Sequence, residues 1–165
     1  MASGDTLRIW TAREYGDYAS GNIATQNTRN SHYVNDLALS ESVIFGGVMP
    51  RHYDGGGITI YLHYAMRATI AIADDINIQT NIERIGDQLL DLDSNSFGAA
   101  SNTGDITVPG TSGLVDIVST AHTAGGEMDL LAVGEAFRML VSRAAVAGTD
   151  AIGDLELLFV EMAET

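Results

Sequence analysis

Residues 50–66 read PRHYDGGGITIYLHYAM, and the second half of that stretch decides the fold. From Ile58 the side chains alternate without a break. Ile58, Ile60, Leu62, Tyr64 and Met66 project to one side, and Thr59, Tyr61, His63 and Ala65 to the other. Period two is a strand with one buried face and one less apolar face. The glycines ahead of it, Gly55, Gly56 and Gly57, accept backbone angles closed to other residues, and Asp54-Gly55 is itself a turn signal. The expectation is a corner between sheets, or a turn packed close against a neighbour. A phosphate-binding glycine loop leads into a helix N-terminus; this one leads into a strand, so that reading is rejected.

The same logic recurs outward from this strand. Residues 75–84 set Ile76, Ile78, Thr80 and Ile82 against Asn77, Gln79, Asn81 and Glu83, an outer face made for water or a hydrophilic partner. Further strands are expected at 6–11, 33–39, 42–49, 96–102, 114–123, 136–143 and 154–162. Gly46-Gly47 marks a bulge or a close backbone approach. In the last strand, strict alternation puts Leu157 and Phe159 opposite Leu158, Val160 and Met162. A strand apolar on both sides is covered on both sides, here by the core and by an arm or a sister chain. Helix competes at 85–92 and 126–135; residues 144–152 carry Gly148 without a good cap and read as a loop. Residues 13–32 are polar, without periodicity, and read as a long loop or arm. About eight or nine strands at roughly ten-residue spacing make an all-β, antiparallel β-sandwich or barrel, in a single domain spanning 1–165.

Composition narrows the function. There are 22 acidic residues against eight arginines, no lysine, and a net charge of −14 at pH 7. Binding nucleic acid through phosphates needs clustered cations, so that partner is excluded. Having only arginines, every cation can contact carboxylates in a planar, bidentate way. No cysteine is present, which rules out disulfides and thiolate sites. No apolar run reaches the ~18 residues of a membrane span, and the first residues lack a signal peptide's basic and apolar regions. A soluble chain that avoids classical export is expected.

No catalytic constellation stands out in the sequence. His32, His52, His63 and His122 lack metal-ligand spacing, and no H-E-x-x-H or G-x-S-x-G occurs. Asp91, Asp93 and Asn95 resemble the first half of a calcium loop, but the glycine and glutamate of an EF-hand are replaced by Ser96 and Asn102. They stay as loose calcium candidates beside an ordinary Asx-rich turn. Asp74-Asp75 point to opposite faces of a strand and cannot act as an acid–base pair without help from another strand. No catalytic residue and no cofactor is assigned. Trp10, Tyr61 and Tyr64 are candidates for a sugar-stacking platform, and Tyr61 shares its face with Thr59 and His63.

Four blocks carry a resemblance: MASGDTL at 1–7, NTRNSH at 27–32, MPRHYDGGGITI at 49–60 and GEAFRMLVSRAAVAGTDAIGDLELLFVEMAET at 134–165. They resemble virion proteins of tailed bacteriophages, small jelly-roll capsid decoration or cement proteins; residues 66–109 match weakly. The resemblance implies an eight-stranded jelly roll, made in the host cytoplasm and seated on the capsid exterior. It implies a homotrimer that clamps subunits of the major capsid protein by binding alone, with no cofactor and no active site. A stable interface needs ~800 Å² or more per side, which an arm ordering on the capsid would supply. Arg13, Arg29 and Arg51 are expected in such contacts, with Tyr61, His63, Leu157 and Phe159 as further interface residues. The alternative is a jelly-roll receptor- or carbohydrate-binding module of a tail fibre or virion surface.

Overall fold

The alternation that starts at Ile58 becomes an inner strand of one of two packed sheets. The computed structural model describes residues 4–16, 22–23, 25–67, 74–89, 91–94 and 96–165, with the backbone alone at 15, 16, 22, 23, 25 and 26. In chain order the strands are β1 (Thr6–Thr11), β2 (Tyr15–Gly16), β3 (Asn22–Ile23), β4 (Thr25–Arg29), β5 (His32–Leu37), β6 (Glu41–Val48) and β7 (Ile58–Met66). They continue with β8 (Asp75–Ile85), β9 (Ser101–Asn102), β10 (Ile106–Thr107), β11 (Asp116–His122), β12 (Ala136–Ala144) and β13 (Leu155–Glu164). Nine of them have five residues or more. The front sheet runs β11-β7-β13-β5-β4, with β1 also paired to β13; the back sheet runs β10-β8-β12-β6-β2, with β3 on β6 and β9 on β8. Pairing is antiparallel except for β3 with β6. From β5 onward each long strand lies in the other sheet from the long strand before it.

The inward face of β7 is wholly buried, as the alternation requires. Ile58, Ile60, Leu62, Tyr64 and Met66 meet Ile76, Ile78 and Ile82 of β8 and Phe137, Met139 and Val141 of β12 in one core. Each such side chain contributes about 1.5–3 kcal/mol on burial. Trp10 sits in this core at 0% exposure, 6.0 Å from the ring centroids of both Phe45 and Phe137, and its indole N–H donates to the Gly46 carbonyl at 2.9 Å. Trp10 and Tyr64 therefore cannot form a sugar-stacking platform; of that trio only Tyr61 faces outward.

Three expectations are corrected. Of the 13–32 stretch, residues 17–21 and 24 lie outside the described residues; elsewhere in it β4 pairs with β5, and β2 and β3 pair with β6, so these segments are strands at one edge of each sheet and not a free arm. Edge strands tolerate polar side chains because their backbone supplies the pairing. Residues 96–100 form no strand. The Ser96 N–H donates instead to the buried Glu83 carboxylate, and Gly98 N–H to the Ile82 carbonyl at 2.8 Å. Helix is confined, among the described residues, to a 3-10 turn at Gly126–Met128.

The glycine triplet now separates into three cases. Gly55 has φ +88°, a left-handed angle that favours glycine. A Cβ on Gly57 would lie 2.8 Å from the His122 carbonyl oxygen at the end of β11, so the strand needs a bare backbone there. Gly56 has neither constraint, its nearest atom being Glu164 Oε1 at 3.9 Å. Gly57→Ala is expected to destabilise by about 1–3 kcal/mol through overpacking. Gly56→Ala should be neutral or up to about 1 kcal/mol stabilising. Urea titration of both variants checks the contrast.

One polar bridge crosses the core. The Thr80 hydroxyl lies 2.6 Å from that of Thr120 and 2.8 Å from His122 Nε2, joining the back sheet to the front. Burial pushes the His122 pKa below its ordinary 6.5, against a smaller opposing pull from Glu127. Near that pH the unfolded chain takes up a proton that the folded chain refuses. Stability is thus fully present above pH 6.5 and lost as pH falls, with a limiting slope of about 1.4 kcal/mol per pH unit. Urea midpoints should fall between pH 6.5 and the carboxylate range, and His122→Gln should flatten that fall.

Candidate ligand-binding groove

The outward face of the front sheet can be read off its registers. One row across the strands is Ser119, Tyr61, Glu161 and Ile9; the next is Ile117, His63, Phe159 and Thr11. Beyond these, Ala65, Glu156 and Asp36 form a third row. The rows depend on a bulge in β13. Leu157 pairs with Tyr64 and Phe159 with His63, which leaves Leu158 as an extra residue. A bulge shifts the alternation by one. Leu155, Leu157, Val160 and Met162 all turn inward, and Phe159 turns out. Leu157 and Phe159 therefore do not share a face; Leu157 is a core residue and is withdrawn as an interface candidate.

A groove opens at the bulge, where β1 and β5 meet the same edge of β13 from opposite ends. One lobe, about 210 Å³, is lined by Thr11, Arg13, His32, Tyr33, Leu158 and Phe159. The other, about 350 Å³, is lined by Arg29, Val34, Ala65, Ser112, Val115 and Glu156. His32 and Leu158 belong to both lobes, so the two form one crossing of the sheet. Phe159 lies edge-on to His32 at 5.2 Å and to His63 at 6.2 Å, a line of three rings. At the far end the Arg13 guanidinium stacks 3.8 Å over the Tyr33 ring.

The floor of the wider lobe is ionic yet balanced. Arg29 Nη1 pairs with Glu156, and Arg29 Nη2 donates to the Ser112 hydroxyl at 2.7 Å. Gly113, with φ +77°, lets the loop close over Arg29; a Cβ there would lie 2.9 Å from Nε. Beside this pair, Arg67 pairs with Asp36, which also accepts from Asn27 Nδ2 at 2.9 Å. Each carboxylate is buried under its arginine. An aromatic line next to a charge-balanced floor can hold an apolar ring face and hydrogen-bond its polar rim.

Of the residues singled out from sequence, Arg13, Arg29 and Phe159 line the groove, and Tyr61 and His63 lie on the same face. Arg51 is elsewhere, its guanidinium packed against Gly134. Asp91 accepts the Asp93 N–H at 3.0 Å in an Asx turn, Asn95 lies outside the described residues, and no group of three acidic or histidine side chains among the described residues could hold a metal ion. His32, Tyr33, Leu158, Glu156 and Ser112 were not foreseen. The run Leu157-Leu158-Phe159-Val160 did carry the bulge signal, because four apolar residues in a row break period two.

No family model and no curated protein matches the chain. Solved structures do. A carbohydrate-binding module from Clostridium stercorarium, solved with cellobiose, superposes with TM-score 0.55 at 10% identity, covering 96% of this chain and 95% of that one. The chain is a jelly-roll β-sandwich. A xylan-binding module gives TM-score 0.52 at 11% identity over 96% and 97% of the two chains. A 4-O-methyl-alpha-glucuronidase gives TM-score 0.53 at 11% identity; 99% of this chain is covered, but only 18% of that enzyme.

Proposed function

We propose that this jelly roll is a binding module that takes a carbohydrate in the groove across its front sheet and performs no chemistry on it. The observation that carries the reading is the two-lobed groove, with Phe159 and His32 in one lobe and a balanced ionic floor in the other. Sugar rings present apolar faces to aromatics and hydroxyl rims to polar groups. Neighbours of the same fold, named for cellobiose and xylan, lend support. Isothermal titration with cello-, xylo- and laminari-oligosaccharides is the test. Saturable binding of at least one series is expected; heats indistinguishable from dilution in all of them overturn the reading.

A second reading follows the resemblance to phage decoration proteins: a homotrimer on the virion exterior, with the same face laid against sister chains or the major capsid protein. It is favoured by Ile9 and Ile117, exposed at 56% and 54%, in the rows of Tyr61 and Phe159. Sedimentation at micromolar concentration separates the two, since this reading requires a trimer and the first does not.

A further inference from the structure

We infer that Arg13 makes the narrower lobe of the groove a subsite for a sugar carboxylate, so that the module prefers oligosaccharides carrying a uronate; this rests on the carbohydrate reading above. Five of the eight arginines, Arg29, Arg67, Arg84, Arg138 and Arg143, are each paired with a carboxylate. Arg13 is exposed, and its guanidinium has neither a carboxylate nor a hydrogen-bond acceptor among the described residues. The acid beside it in sequence, Glu14, is turned onto Thr11, accepting the N–H at 2.9 Å and the hydroxyl at 3.2 Å. Among the described residues no acidic side chain lines this lobe, whereas Arg13 and His32 do.

The stack on Tyr33 leaves the right atoms free. Lying 3.8 Å over that ring, the guanidinium gives one face to the aromatic, while its N–H donors lie in its own plane. The stack also holds the side chain in place before a ligand arrives, which lowers the ordering cost of binding. A planar fork with free donors matches a carboxylate bidentately, and charge-assisted hydrogen bonds of that kind are roughly twice as strong as neutral ones. The wider lobe differs, because its Arg29 is already paired with Glu156 and Ser112. Phe159 in the narrower lobe supplies an apolar face for the ring that bears the carboxylate. The net charge of −14 opposes an anion at long range. That field is largely screened beyond a Debye length of about 8 Å at roughly 0.15 M salt, whereas a pair at contact is screened much less.

Isothermal titration of the full chain at roughly 0.15 M NaCl compares matched pairs of ligands. Cello- and laminari-oligosaccharides are set against the same chains oxidised to uronates at C6, and xylo-oligosaccharides against the same chains bearing one glucuronate branch. In at least one pair the acidic member should bind about tenfold or more tightly than the neutral one. In Arg13→Gln that ratio should fall to about threefold or less, and Arg13→Lys, which keeps the charge without the fork, should lie between. Thermal melts check that the variants fold, as an exposed position leads one to expect; should Arg13→Gln not fold, Arg13→Met carries the same expectation. Equal or weaker binding of the acidic member in every pair, or a ratio unchanged in the folded variant, overturns the subsite alone. Binding of none of the ligands, neutral or acidic, overturns the carbohydrate reading and the subsite with it.

Discussion

Truncating Arg143 to alanine is expected to cost the fold about 3–5 kcal/mol. Arg143 sits at an inward position of β12 with 2% of its surface exposed. Its Nη1 donates to the Gly153 carbonyl at 2.6 Å and the Leu37 carbonyl at 3.4 Å. Its Nη2 donates to the Ala151 carbonyl at 2.5 Å and reaches Asp150 at 3.2 Å. One planar fork thus ties β5 of the front sheet to the 145–154 loop from a strand of the back sheet. Removing it leaves three carbonyls facing a void, each with a desolvation cost of about 1–3 kcal/mol. Arg143→Lys should rescue little, because a compact ammonium cannot span the same acceptors. Urea unfolding of both variants is the measurement, and a loss below about 1 kcal/mol in Arg143→Ala would show that the fork carries nothing.

If the groove takes a carbohydrate as proposed, Phe159→Ala is expected to weaken that binding by about 2 kcal/mol or more, some thirtyfold, while leaving the chain folded. Phe159 is the central ring of the line with His32 and His63 and stands outside the core, so its loss removes the platform and little inter-sheet packing. Leu157→Ala, two residues away, should do the reverse: 2–5 kcal/mol of stability lost, as is typical of a buried leucine, with affinity unchanged in the fraction that stays folded. Parallel calorimetry and thermal melts separate the outcomes. Equal binding by Phe159→Ala and wild type would place the ligand elsewhere.

That contrast between neighbours shows what was readable in the chain. Period two placed β7, β8 and β12 nearly to the residue, because burial on one face dictates their alternation. The same rule put Leu157 on the outward face with Phe159, whereas one inserted residue at Leu158 reverses every later side chain in β13 and leaves Leu157 in the core. The groove was only partly visible. Arg29, Glu156 and Ser112 come from β4, β13 and the loop before β11, so nothing in their sequence spacing brings them together. The edge strands β2 to β4 were hidden for a different reason: their stability comes from backbone pairing, which a polar sequence does not advertise.

The strand order also governs how the molecule comes into being. β13 is the spine of the front sheet, flanked by β7 along one side and by β1 and β5 along the other. Thr6 finds Ala163 as its partner, 157 positions along the chain. During synthesis the front sheet therefore lacks its middle until residues 155–164 have left the ribosome, and its assembly must wait for them. Closing such distant ends first is entropically slow, so a nascent chain halted before Leu155 holds β7 with a bare flank and is a natural client for a chaperone.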